Sequence, residues 1–275
     1  MKKRRCAAAS EGTTNRVRLQ EERFLSTQIP LPPLSEQKRI TARLEELSAK
    51  IEEARGLRQQ AVGEAEALLS SSRDAAFKLS KGWTEACVGV FCEQPQYGYT
   101  ASATAEPVGP KMLRITDIQD GKVDWDLVPF CHCPKPEQYL LQKDDIVFAR
   151  TGATTGKSFL IRECPETVFA FYLIRLRVQE LVTVDYLYQY FQTPSYWAQI
   201  TDTMKGTGQP NVNGKKLANI HVPIAPPEDQ RRIVAYLDGL QSKVDALKRL
   251  QAATAVELNA VLPSVLDRAF KGELA

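Results

Sequence analysis

The 275-residue sequence predicts an α+β fold in which one globular α/β domain is flanked by two long helices that pack as an antiparallel coiled coil. Three observations predict it. A proline-led phrase occurs twice, each copy opens an apolar pattern of helical period, and the stretch between the copies has a different texture. Four regions follow: a tail over 1–28, a first helix region over 29–81, a globular domain over 82–221 and a second helix region over 222–275.

The first helix region begins with "IPLPPLSEQKRI" at 29–40, and "VPIAPPEDQRRI" at 222–233 repeats it. Without a gap, residues 30–78 match 223–271 at 18 of 49 positions, ending on "DAAFK" against "DRAFK". Register held over that length marks a duplicated element. Prolines lack a backbone donor and keep the preceding residue extended, so each copy starts with extended chain. Ser35 is the expected cap of the first helix, and Glu36 complements its dipole. In the second copy Pro227 suits the first helical position, with Glu228 and Asp229 supplying the charge.

Apolar residues then step by three and four. The first copy reads Ile40, Leu44, Leu47, Ile51, Ala54, Ala61, Ala65 and Leu68. The second reads Ile233, Leu237, Leu240, Val244, Leu247, Leu258, Val261 and Val265. A heptad-like seam on helices of about forty residues, roughly 60 Å long, is the expectation. Gly56, Gly63 and Pro263 predict a bend or local loosening.

The globular domain carries β-rich runs at 145–149, 158–162 and 167–178, then a helical pattern over 182–200 with Tyr186, Leu187, Tyr190 and Phe191 on one face. Tyr186, Tyr190 and Trp197 read as core rather than as a base-stacking platform. Two polar loops, "RTGATTGKS" (150–158) and "KGTGQPNVNGKK" (205–216), hold cations and no acid. Such loops suit phosphate, and Gln209, Asn211 and Asn213 could bond base edges. As composition alone, both are also ordinary turns.

Other chemistries fit poorly. A phosphate-binding P-loop needs four residues between its first glycine and the Gly-Lys pair, whereas Gly152 and Gly156 enclose three. Cys131 and Cys133, with Cys87, Cys92 and Cys164 elsewhere, lack the paired spacing of structural zinc. His132 and His221 are the only histidines, which leaves little for a catalytic triad. Six scattered cysteines do not form a disulfide framework, and no run approaches the roughly 18 apolar residues of a spanning helix, so a cytoplasmic, membrane-free protein is expected. The net charge of +3 is spread unevenly, with thirteen Lys and Arg against fifteen acids over 82–221. Nucleic-acid binding there must rest on local placement of charge.

The repeated phrases, with "MLRITDIQDGKVDW" (112–125), "DDIVFARTGATTGKS" (144–158) and "GTGQPNVNGKKLANIHVPI" (206–224), resemble specificity (S) subunits of Type I restriction–modification systems. The resemblance covers about residues 17–275. It implies that the middle is a target recognition domain reading half of a bipartite site in double-stranded DNA. The helices would set the spacing to the other half and dock methyltransferase subunits, which would bind S-adenosylmethionine and methylate a flipped adenine. This chain itself would be non-catalytic, with no cofactor or metal, and a restriction subunit would join the complex. The expected DNA contacts are Arg114, Arg150, Thr151, Thr154, Lys157, Lys205, Gln209, Asn211, Asn213, Lys215 and Lys216. The expected packing residues are Ile40, Leu44, Leu47, Ile51, Ile233, Leu237, Leu240 and Val244.

S subunits of the usual length carry two recognition domains, and this sequence carries one. "VRLQEERFLSTQIPLPP" (17–33) resembles the tail of a preceding recognition domain. A half-length subunit, which would pair through its helices into a homodimer, and the C-terminal part of a longer one both fit. From the residues alone, a coiled-coil adaptor whose middle domain binds a protein or another ligand is the alternative.

Overall fold

In the computed structural model, the described residues are 10–11, 18–19, 21–26, 31–119, 121–204, 211–271 and 273. In chain order the helices are α1 (Glu21–Leu25), α2 (Leu34–Ala76), α3 (Val88–Phe91), α4 (Val184–Tyr190), α5 (Pro194–Met204), α6 (Gly214–Ala218) and α7 (Pro227–Lys271). The strands are β1 (Ser10–Glu11), β2 (Arg18–Leu19), β3 (Thr84–Cys87), β4 (Gln96–Tyr97), β5 (Lys111–Leu113), β6 (Ile118–Gln119) and β7 (Lys122–Val123), then β8 (Ile146–Ala149), β9 (Ser158–Leu160), β10 (Thr167–Phe169), β11 (Leu173–Leu176) and β12 (His221–Ile224). Two compact units result, one of residues 1–64 with 244–275 and one of residues 65–243.

The first unit contains the β1–β2 pair, α1 and stretches of both long helices. At 43 and 45 residues, α2 and α7 are each roughly 65 Å long, and both continue through Gly56, Gly63 and Pro263. Ser35 is not the cap: the helix opens at Leu34, and the Pro33 carbonyl already accepts from the amides of Glu36 and Gln37. The proline phrase is tied down by a side chain instead, since Gln37 Nε2 donates to the Pro32 carbonyl at 2.7 Å. Arg55 donates to Asn259 Oδ1 at 2.6 Å, and Arg58 to Thr254 Oγ1 at 2.7 Å and to the Gln251 carbonyl. Ascending positions on α2 thus meet descending positions on α7.

The apolar stripe follows the expected period with two shifts. Ile51 and Val244 are buried, and Ile40, Leu44 and Leu47 are half-buried. Leu68 is 60% exposed while its neighbour Leu69 is buried. Likewise Val261 is exposed and Leu262 half-buried. Where two adjacent residues are both apolar, the sequence pattern does not say which one the helix turns inward.

The second unit is built on an antiparallel sheet of order β4-β11-β8-β9. The run 167–178 is not one strand. It splits into β10, parallel to β5, and β11, with the Leu173 amide closing a turn on the Ala170 carbonyl. The helical stretch also splits, because Pro194 cannot continue the ladder of α4. Thr193 Oγ1 instead donates to the Tyr190 carbonyl and accepts from the Tyr196 amide at 3.1 Å, which starts α5.

Tyr186, Leu187, Tyr190 and Phe191 are buried as expected, and Trp197 packs half-buried against the same core. Tyr186 and Tyr190 place their hydroxyls on the carbonyls of Pro223 and His221 at 2.8 and 2.7 Å, and burial pushes both phenols up. Ile233 and Leu237 of α7 join this core together with Phe77, so part of the second helix's stripe is covered by the globular unit itself. Strands β3 and β12 pair antiparallel, from His221↔Cys87 to Ile224↔Thr84, bringing chain entry and exit side by side.

Gln230 repeats the role of Gln37 at the matching position. Its amide donates to the Ala225 carbonyl, again five residues back, at 2.9 Å. It also donates to the Leu181 carbonyl and accepts from the Thr183 amide, each at 2.8 Å, and so fastens α7 to the globular core.

Candidate nucleic-acid interface

The loop 150–157 connects β8 to β9, a hairpin between antiparallel strands rather than the strand-to-helix turn of a P-loop. The Gly156 amide donates to the Ala149 carbonyl and the Ala149 amide to the Lys157 carbonyl, each at 2.9 Å. Thr155 closes the interior by donating both its amide and its hydroxyl to the Gly152 carbonyl. Gly156 has φ +85°, and a Cβ there would stand 2.8 Å from the Ile200 side chain, so both backbone shape and space demand glycine. Lys157 is exposed, with Thr151 and Thr154 half-buried beside it.

The second loop meets the first. Thr151 bridges Asn211 antiparallel, and the Val212 amide donates to the Arg150 carbonyl at 3.0 Å. Asn213 caps α6, its side-chain oxygen accepting from the Lys216 amide at 2.9 Å. Lys216 turns its ammonium inward onto the Asn211 carbonyl at 2.9 Å, whereas Lys215 is exposed. The two loops therefore meet along 150–151 and 211–212, with Lys157 and Lys215 exposed and the Asn213 and Lys216 side chains bonded within the second loop. Lys205 and Gln209 lie outside the described residues.

Arg114 has a different duty. Its guanidinium bonds Asp117 through Nε (3.1 Å) and Nη2 (2.6 Å), and Asp117 also accepts from the Arg114 amide. Those bonds raise the guanidinium's pKa and leave it fewer donors for a ligand.

Tyr97 was not legible as a site residue. It ends β4, is 39% exposed, and lies under the Arg150 guanidinium, 5.0 Å from ring centroid to Cζ. Its hydroxyl accepts from the Gly214 amide at 2.9 Å, so one ring touches both loops. Gln96 anchors β4 from below by accepting from Arg175 and donating to the Gln138 carbonyl. Gly98 must be glycine, because a Cβ there would lie 2.2 Å from the Phe169 carbonyl oxygen. The "QYGY" run is the signal, since a glycine beside an exposed aromatic marks a close backbone approach.

Beneath the sheet, buried Asp145 accepts from Arg177 Nε at 2.6 Å and from the Gln142 amide at 2.8 Å, with Arg175 Nη1 at 3.9 Å. Burial lowers the Arg175 pKa, whereas the hydrogen bond from Arg177 to Asp145 raises that of Arg177. These charges hold the scaffold and are not offered to a ligand.

The described thiols are free, and Cys131 and Cys133 are buried in an apolar cluster. Among the described residues, no three His, Cys, Asp or Glu side chains converge on a metal-sized site, and no helix is long and apolar enough to cross a membrane.

The family described as Type I restriction modification DNA specificity domain matches residues 2–61 and 133–256. The chain is 26% identical over 270 residues to the EcoKI specificity subunit of Escherichia coli K12, covering 90% of this chain and 57% of that protein. It is 24% identical over 278 residues to the EcoBI specificity subunit of Escherichia coli, covering 90% and 58%. The HsdS subunit from Thermoanaerobacter tengcongensis superposes with a TM-score of 0.65 at 28% identity, over 99% of this chain and 67% of that one. A chain from a structure on complex assembly and conformational transition of the type I R-M system gives 0.78 at 28% identity, over 96% and 66%. This chain therefore spans a little over half the length of the curated relatives it matches.

Proposed function

The chain belongs to the Type I restriction modification DNA specificity domain family, and from that premise we propose that it reads one half of a bipartite site in double-stranded DNA and docks methyltransferase subunits. The observation that carries the reading is the junction of the two acid-free loops at Thr151 and Asn211, which sets Arg150 beside the segment that carries the exposed Lys215, with Lys157 exposed at the other end of the first loop. Cations and amides on loops held by a rigid sheet position a duplex through its phosphates and leave the side chains between them to read base edges.

The role is non-catalytic. S-adenosylmethionine belongs to the partner methyltransferase, a restriction subunit joins the complex, and the assembly works in the cytoplasm. The long helices act as an antiparallel coiled coil that sets half-site spacing, a reading supported by the reversed order of the Arg55–Asn259 and Arg58–Thr254 contacts. Two copies pairing through these helices would present two readers related by a twofold axis.

The test is to co-express the chain with its methyltransferase subunit in a host lacking adenine methylation and to map modified bases genome-wide. A split motif, palindromic if two copies pair, is the expected result. Absence of new methylation, with both proteins soluble and bound to each other, would refute autonomous half-site reading.

A further inference from the structure

Arg150 differs from the other half-buried or hydrogen-bonded arginines described in this unit, while Arg231 lies exposed to solvent. Arg114 is held by Asp117, Arg162 by Asp185, Arg177 by Asp145, Arg73 by Gln189 and Gln241, and Arg175 by Leu140 and Gln96. Arg150 has no side-chain hydrogen bond to any described residue, and its Nε is the one buried side-chain polar atom among them without a partner. A half-buried guanidinium normally has its donors satisfied, since leaving them empty in a low dielectric is costly. Here the cation rests on the Tyr97 ring, which orders it without using an N–H.

We propose that Tyr97 is the positioning residue that holds Arg150 ready for a base edge, and that guanine is the base read, through its O6 and N7. This rests on the DNA-reading role above. Three observations converge on it. The cation–π contact holds the guanidinium against the ring while leaving its fork unpaired, and an unpaired fork is what bidentate recognition of guanine uses. The Tyr97 hydroxyl receives the Gly214 amide, so the ring that orders Arg150 also sets the start of the segment carrying Lys215. Gly98 and Gln96 immobilise the ring's own backbone, making it a fixed reference rather than a surface aromatic. A phosphate can also take an arginine fork, so a preference for guanine at a single position is what separates base reading from backbone contact.

The test uses the full chain in complex with its methyltransferase subunit, presented with a pool of randomised duplex DNA, with bound duplexes sequenced and affinities measured at several salt concentrations. Four variants are compared: Arg150→Lys, Arg150→Gln, Tyr97→Leu and Tyr97→Phe. Arg150→Lys, Arg150→Gln and Tyr97→Leu should each relax preference for guanine at the same single position, on the order of tenfold or more, leaving other positions unchanged. Tyr97→Phe keeps the ring and should retain that preference, which a merely structural tyrosine would not distinguish. Uniform weakening with an intact motif in the Arg150 variants would make Arg150 a phosphate contact and overturn the proposal. Loss at all positions together in Tyr97→Leu would overturn the role given to Tyr97. If the unsubstituted complex enriched no sequence, the DNA-reading assignment itself would fall, and this proposal with it.

Discussion

Replacing the three described lysines of the two loops one at a time should separate them by the slope of affinity against salt. Lys157 and Lys215 are exposed, whereas Lys216 has its ammonium on the Asn211 carbonyl at 2.9 Å. A cation that neutralises one phosphate contributes about 0.9 to the slope of log K against log salt, hence roughly 3.5-fold in affinity between about 50 and 200 mM. Lys157→Ala and Lys215→Ala should each remove about that much slope, and the double variant about twice as much, or roughly 12-fold over the same range. Lys216→Ala loses an internal bond instead, so it should weaken binding by a similar factor at every salt concentration and leave the slope unchanged. Fluorescence anisotropy on a labelled duplex of arbitrary sequence suffices, because phosphate contacts are sequence-independent. Equal slopes for Lys215→Ala and Lys216→Ala would show that the second loop does not divide its cations in this way. Three unchanged slopes would remove both loops from the DNA surface.

Other perturbations address the scaffold. Asp145→Ala strands Arg175 and Arg177 and should destabilise the chain by about 3–5 kcal/mol in urea unfolding, as for other broken buried pairs. Leu237 is fully buried where α7 enters the globular core, so Leu237→Ala should cost about 2–5 kcal/mol; a loss under 1 kcal/mol would mean that the site is not packed. Burial pushes the Cys92 thiol up to about 12 from its usual value near 9. A raised pKa favours the protonated fold, so this stabilisation is complete below about pH 9 and is lost as pH rises toward 12. The urea midpoint should fall across that window and fall less steeply in Cys92→Ala. Alkaline stability identical in both proteins would contradict it.

The long helices were legible because duplication and period are written in linear order, and the buried Ile51 and Leu237 fall on the expected stripe, although the globular core rather than a helix seam covers Leu237. Local choices between equal neighbours were not, as Leu68 against Leu69 and Val261 against Leu262 show. The split of 167–178 was hidden because both halves have strand composition. Only the close pass of Gly98 against the Phe169 and Ala170 carbonyls forces the turn, and that contact spans some seventy positions. At the interface, loop composition identified cations but not their occupancy. Arg114 is held by Asp117 and Lys216 by a backbone carbonyl, facts that depend on rotamers rather than residue types. Tyr97 was missed because its value arises from meeting two loops that are distant in the chain.

The strand pair β3–β12 has a consequence for how such a protein can change. Because Cys87 and His221 are cross-strand neighbours, everything between them leaves and returns through one narrow doorway. A different reading head with the same two edge strands could be grafted there without lengthening either helix. The repeated proline phrases would offer matching ends for such an exchange. Whatever the unit between those strands binds could then change as an interchangeable cartridge, while both long helices stayed as they are.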